Sequence, residues 1–96
     1  MKLSAMISRQ KVDRKLIFDE EGIKAFAIQL KKIRIREGFS QSQLAFESGL
    51  SLSQIARIET ARINPTLSTV FAIARTLNVP LADLFNFELT QKENNE

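Results

Sequence analysis

QSQLAFESGLSLSQIARIET, residues 41–60, carries two short helical patterns separated by a glycine. Leu44, Leu50, Ile55 and Ile58 recur where two crossing helices would touch each other and a common core. Ala45 stands where a larger side chain would push the helices apart. Gly49 follows the first pattern, at the place where a chain leaving a helix commonly turns through positive φ, which glycine adopts without steric cost. Ser51 then offers a hydroxyl to cap the second pattern.

Two helices joined by such a bend make a helix-turn-helix, which presents its second helix to the DNA major groove. The flanking sequence fits one small domain around it. Upstream, Asp19 followed by Glu20 and Glu21 predicts a helix start, with a capping side chain and first-turn acids suited to the positive end of the helix dipole. Ile23, Phe26, Ala27, Leu30 and Ile33 recur at helical spacing to about Glu37, while Lys24, Lys31, Lys32 and Arg36 lie mostly off that stripe. Gly38 closes the helix, Phe39 fills the junction, and Ser40 is placed to cap the helix beginning at Gln41.

Downstream, ARINPT (61–66) reads as a loop, because Pro65 forces Asn64 out of helical geometry. Thr66 caps a fourth helix whose predicted stripe is Leu67, Val70, Phe71, Ala74 and Leu77. Asn78 is a left-handed stop, Pro80 bars continuation, and Leu81, Leu84 and Phe85 indicate a short fifth helix. Phe85, Phe87 and Leu89 then alternate with polar residues, the pattern of a strand with one buried face. Its candidate partner is the stretch from Lys15 to Phe18, in the same chain or a second copy. The opening residues combine a basic set, Lys2, Arg9, Lys11, Arg14 and Lys15, with Leu16, Ile17 and Phe18, which call for burial. A solvated tail ending in a packed or strand-like piece and a DNA-touching arm both fit them.

At 96 residues and 44% hydrophobic content, the chain has room for one packed domain. It has neither cysteine nor histidine, which removes disulfides, thiol chemistry and the usual zinc and haem ligands. No membrane span or signal-peptide block is apparent, and the expected location is cytoplasmic. The net charge of +3 is unevenly spread: residues 23–66 hold 7 basic and 3 acidic side chains, residues 67–96 hold 2 and 4. The positive excess thus travels with the helix-turn-helix, as a phosphate-facing surface requires. Lysine-rich solvated faces give the same pattern.

From about Leu30 to Phe85 the chain resembles the Cro and phage-repressor (XRE-like) helix-turn-helix regulators. The resemblance rests on IRIREGFSQSQLA, SGLSLSQIARIE, NP and TLSTVFAIARTLNVPLADLF, in order and without a gap. It implies an all-α fold, a compact five-helix repressor-like DNA-binding domain, to which the alternating segment adds a candidate short β pairing between the chain ends. The expected organisation is an N-terminal arm (1–18), the DNA-binding domain (19–86, helix-turn-helix 41–60) and a C-terminal extension (87–96) that serves dimerisation and then loses order.

By position, the resemblance implies phosphate contacts from Gln41, at a helix N-terminus, and from Ser51 and the loop residue Arg62. It puts Ser51, Leu52, Ser53 and Arg57 at groove-facing positions. Ser53 and Arg57 can hydrogen-bond base edges, Arg57 gripping a guanine through O6 and N7, whereas Leu52 is limited to apolar contact such as a thymine methyl. Gln54 assists at a base or at the backbone. Arg34 and Glu59 match a pair that commonly forms an internal salt bridge in this family. Two departures are expected to matter. Ala61 replaces the usual glycine after the third helix, predicting a different loop path, and Ser48 takes a place more often apolar.

The leading functional expectation is a sequence-specific regulator of double-stranded DNA, a repressor or autoregulator acting as a homodimer on an inverted repeat. The alternative is an antitoxin-like module that seizes a protein partner through its terminal segments. Catalysis is not expected: Asp19, Glu20 and Glu21 are adjacent along a helix and do not converge on one substrate, and no residue set points to a metal or cofactor.

Overall fold

The computed structural model describes residues 16–92, and the basic side chains at 2, 9, 11, 14 and 15, like the last four residues, lie outside them. Five helices make up the regular structure of the described residues: α1 (Glu20–Arg36), α2 (Gln41–Ser48), α3 (Leu52–Glu59), α4 (Leu67–Leu77) and α5 (Leu81–Leu84). Each of the first four begins where its cap predicts. Asp19 Oδ1 accepts the Gly22 N–H at 2.9 Å, Ser40 Oγ that of Gln43 at 3.0 Å, Ser51 Oγ that of Gln54 at 3.0 Å, and Thr66 Oγ1 that of Thr69 at 3.2 Å. These side chains answer main-chain donors that a helix start otherwise leaves unpaired, each contributing about 1 kcal/mol.

The α2–α3 bend turns through Gly49 at φ +80°, and Leu50 N–H reaches back to Ala45 O at 3.0 Å. Leu44 and Ala45 of α2, Ile55 and Ile58 of α3, and Phe26, Leu30 and Ile33 of α1 meet Val70, Ile73, Ala74 and Leu77 of α4 and Leu84 of α5 in one core. Leu50, Phe39, Ile63, Val79 and Phe87 pack on its margin. At about 1.5–3 kcal/mol per buried large side chain, this cluster is the main stabilising term.

Three expectations are corrected by this fold. On α4, Ile73 is fully buried although the predicted stripe omits it, while Leu67 is 67% exposed and Phe71 lies on the surface. The buried set 70, 73, 74 and 77 follows the same helical spacing, rotated so that Phe71 falls at its edge. The alternating segment forms no strand, and no described residue belongs to one. Just after α5 the backbone turns, Phe87 N–H donating to Phe85 O at 2.8 Å. The Phe85 ring lies 5.3 Å from that of Phe26 and 6.2 Å from that of Phe87. Glu21 supplies the acceptor that a neighbouring strand would have offered: its Oε2 receives both the N–H and the hydroxyl of Thr90, at 3.0 and 2.9 Å. The other candidate strand is exposed where described, Leu16 at 95% and Ile17 at 85%, so the burial expected of these two does not occur.

Candidate nucleic-acid interface

The eight residues of α3 divide between inside and outside. Ile55 and Ile58 are 0% and 1% exposed, anchored in the core, whereas Leu52, Ser53, Gln54 and Arg57 stand on the solvent side. Apolar anchors three residues apart fix the helix's rotation, and with it the direction of every outward side chain.

At the start of α3, Ser51 and Gln54 form a reciprocal cap. Ser51 Oγ accepts the Gln54 N–H, and Gln54 Oε1 accepts the Ser51 N–H at 2.9 Å. The Gln54 carbonyl oxygen is therefore committed within the helix and its NH2 group remains for outside contacts. The signal was present in the sequence as S-x-x-Q, a capping-box spacing. Ser51 keeps a hydroxyl hydrogen to donate. Arg57, one turn further on, has no ion-pair or side-chain hydrogen-bond partner among the described residues.

Beyond α3, Ala61 adopts φ +59°. The left-handed turn expected to be lost with the glycine is thus kept by an alanine. Arg62 N–H donates to Arg57 O at 2.9 Å and Ala61 N–H to Ile58 O at 3.1 Å, a bond pair that satisfies carbonyls at the helix end. These bonds hold the turn against a steric cost of roughly 1 kcal/mol. Arg62 follows immediately and is exposed. Phe18, Glu20 and Lys24 share a shallow depression with Ala61, so the start of α1 lies beside the end of α3. Ser48, the other departure, turns its hydroxyl to Ala45 O at 3.3 Å.

Behind this surface lies a buried polar cluster. Arg34 Nε donates to Glu59 Oε2 at 2.6 Å and Nη2 to Glu59 Oε1 at 2.9 Å, a two-point grip between α1 and α3. Both side chains are nearly closed off, 9% and 2% exposed. Arg34 Nη1 also donates to Phe39 O at 2.8 Å, which ties in the junction before α2. Gln41, half-buried at the head of α2, donates from Nε2 to Glu59 Oε1 at 3.0 Å. That link was not visible in the sequence, since it joins residues on different helices. Lys24, Lys31 and Lys32 are exposed along α1, and Arg36 is occupied by Glu37 at 3.0 Å and Asp83 at 3.7 Å.

The outward polar side chains of α3 itself, Ser53, Gln54 and Arg57, therefore offer hydrogen-bond donors and one cation beside the apolar Leu52, and the Glu59 carboxylate behind them is paired with Arg34. Such a surface suits a polyanion whose edges carry acceptors. Among the described residues no three potential metal-ligating side chains converge, and no helix is long and apolar enough to cross a membrane.

A helix-turn-helix family profile matches residues 30–84. The HTH-type transcriptional regulator SlrR of Bacillus subtilis (strain 168) is 37% identical over 65 residues, 67% of this chain and 43% of SlrR. The immunity repressor protein of Bacillus phage phi105 is 38% identical over 65 residues, 68% of this chain and 45% of that protein. The chain thus matches less than half the length of either relative. Among solved structures, the restriction-modification controller protein C.AhdI from Aeromonas hydrophila superposes with a TM-score of 0.64 at 32% identity, over 66% of this chain and 96% of that one. The wild-type controller protein C.Esp1396I gives 0.65 at 28% identity, over 70% and 88%.

Proposed function

The chain belongs to the Cro/C1-type helix-turn-helix family of transcriptional regulators, and from that premise we propose that it is a sequence-specific repressor or autoregulator that reads an operator with α3. The observation that carries this reading is the division of α3, with Ile55 and Ile58 locked inward and Leu52, Ser53, Gln54 and Arg57 turned outward. In this reading Arg57 grips a guanine, Ser53 bonds a base edge and Leu52 packs on a thymine methyl. Gln54, with its carbonyl oxygen held in the cap, contributes only NH2. Ser51, Gln41, Arg62 and the α1 lysines hold the sugar-phosphate backbone and set the register.

One copy presents a single short reading helix. Two copies related by a two-fold axis would set two such helices about 34 Å apart, one turn of DNA, and the operator would be an inverted repeat. Half-exposed apolar residues line two grooves, Phe71 and Leu81 in one and Phe85 and Leu89 in the other, and either supports a self-associating surface. Repression is the direction favoured by likeness to a phage immunity repressor, and action on DNA puts the protein in the cytoplasm.

The experiment is a titration of the purified protein on DNA from upstream of its own gene against scrambled DNA, at two salt concentrations. The expected result is a preference for the upstream fragment that survives the higher salt, with a footprint of two symmetric half-sites. Equal, salt-sensitive binding to both DNAs would leave only the phosphate term and refute operator reading.

A further inference from the structure

The buried Arg34–Glu59 pair does more than join two helices, because a third donor enters it. Glu59 Oε1 receives Arg34 Nη2 at 2.9 Å and Gln41 Nε2 at 3.0 Å, while Oε2 receives Arg34 Nε. An ionised carboxylate has only acceptors, so the Gln41 amide can approach it only with the NH2 group foremost. One N–H is thereby committed inward and one remains. A glutamine on a surface helix otherwise samples several rotamers and both faces of its amide, and ordering it on binding weakens the contact it makes. Here that ordering is complete before any ligand arrives. Arg34 also cancels the carboxylate's charge, so a phosphate approaching Gln41 meets a neutral pair rather than a buried anion.

The geometry points to Glu59 as a positioning residue for DNA binding: it holds the Gln41 amide so that its second N–H is preset for a backbone phosphate at the head of α2. The inference rests on the reading of Gln41 as a phosphate contact. It implies that the hold on the DNA backbone at α2 and the seating of the reading helix α3 share one carboxylate.

Because removing Glu59 alone would strand a buried arginine, the decisive variant replaces both partners with apolar side chains of similar length, Arg34→Met with Glu59→Met, which commonly preserves stability. Gln41→Ala is then made in the wild-type and in the double-substituted background. Affinity for the upstream fragment is measured well below the melting temperature of every variant. In the wild-type background Gln41→Ala is expected to lower affinity about tenfold, the size of one hydrogen bond to a charged group. The salt dependence should stay unchanged, since the amide carries no charge. In the Met/Met background affinity is already reduced, and Gln41→Ala costs clearly less than tenfold. An equal factor in both backgrounds, or Met/Met binding at wild-type affinity, would overturn the positioning role.

If Gln41→Ala binds like wild type, the phosphate contact itself is refuted and the positioning role with it. Base reading is judged separately, through Arg57. Should the Met/Met protein not fold, the unmodified protein decides. In NMR spectra without DNA, one Gln41 side-chain amide proton should exchange with solvent markedly more slowly than those of the exposed Gln91, and on adding the upstream fragment the other should shift. Rapid exchange of both Gln41 protons would overturn the proposal.

Discussion

The two faces of α3 hold side chains two residues apart under opposite constraints. The Glu59 side chain is 2% exposed and accepts three hydrogen bonds. Arg57 is exposed and has no partner among the described residues. Both are charged and both sit in the last turn of the same helix. One is spent on folding and the other is held in reserve, so the helix can be rigid as a body while its outer surface stays available to a ligand.

Substitutions should separate the two faces. Glu59→Ala is expected to cost about 3–5 kcal/mol, because Arg34 is left buried and unpaired. That lowers the melting temperature by more than about 10 °C in a domain of this size. The control is Glu47→Ala on α2, whose only described bond is an exposed one from Gln43 at 3.0 Å and whose effect should stay within about 0.5 kcal/mol. Equal melting temperatures for the two variants would contradict the division. Arg57→Ala should do the reverse. Thermal unfolding changes little, while operator affinity falls by about 1–3 kcal/mol with relaxed preference at one base pair; unchanged affinity for both operator and scrambled DNA would remove Arg57 from the reading face. The smallest effect belongs to the turn that follows. Ala61→Gly is expected to raise stability by no more than about 0.6 kcal/mol, since relief of the left-handed strain is largely offset by the added freedom of the unfolded chain. A lower melting temperature would mean that the alanine methyl makes a compensating contact.

Much of this arrangement was legible in the chain because it is local. The caps at Asp19, Ser40, Ser51 and Thr66, the glycine bend and the stop at Asn78 each depend on neighbours within about four residues, and side-chain chemistry decides them. Misreadings occurred where distant neighbours decide. Ile73 and Phe71 are equally apolar, and only the position of the other helices sends one in and leaves the other out. The alternating segment carries a period-two pattern yet forms no strand and lacks a described partner, and Phe85 instead sets its ring on Phe26 of α1. The tether from Gln41 to Glu59 required α2 and α3 to be docked before it existed. Ala61 shows a third case, in which two hydrogen bonds outweigh a residue's own preference.

The contact between Thr90 and Glu21 has a consequence in time rather than in space. It joins residues 69 positions apart, on an exposed edge, after a stretch whose rings are only partly covered. Neighbouring helices such as α2 and α3 close over short separations and are expected to come together early. The seam at Thr90 waits for the start of α1 and the segment after α5 to be in place and is expected to form last. For the same reason it reopens first, with a free energy well below that of global unfolding. The domain is therefore expected to open at this rim before α3, which Ile55 and Ile58 anchor in the core.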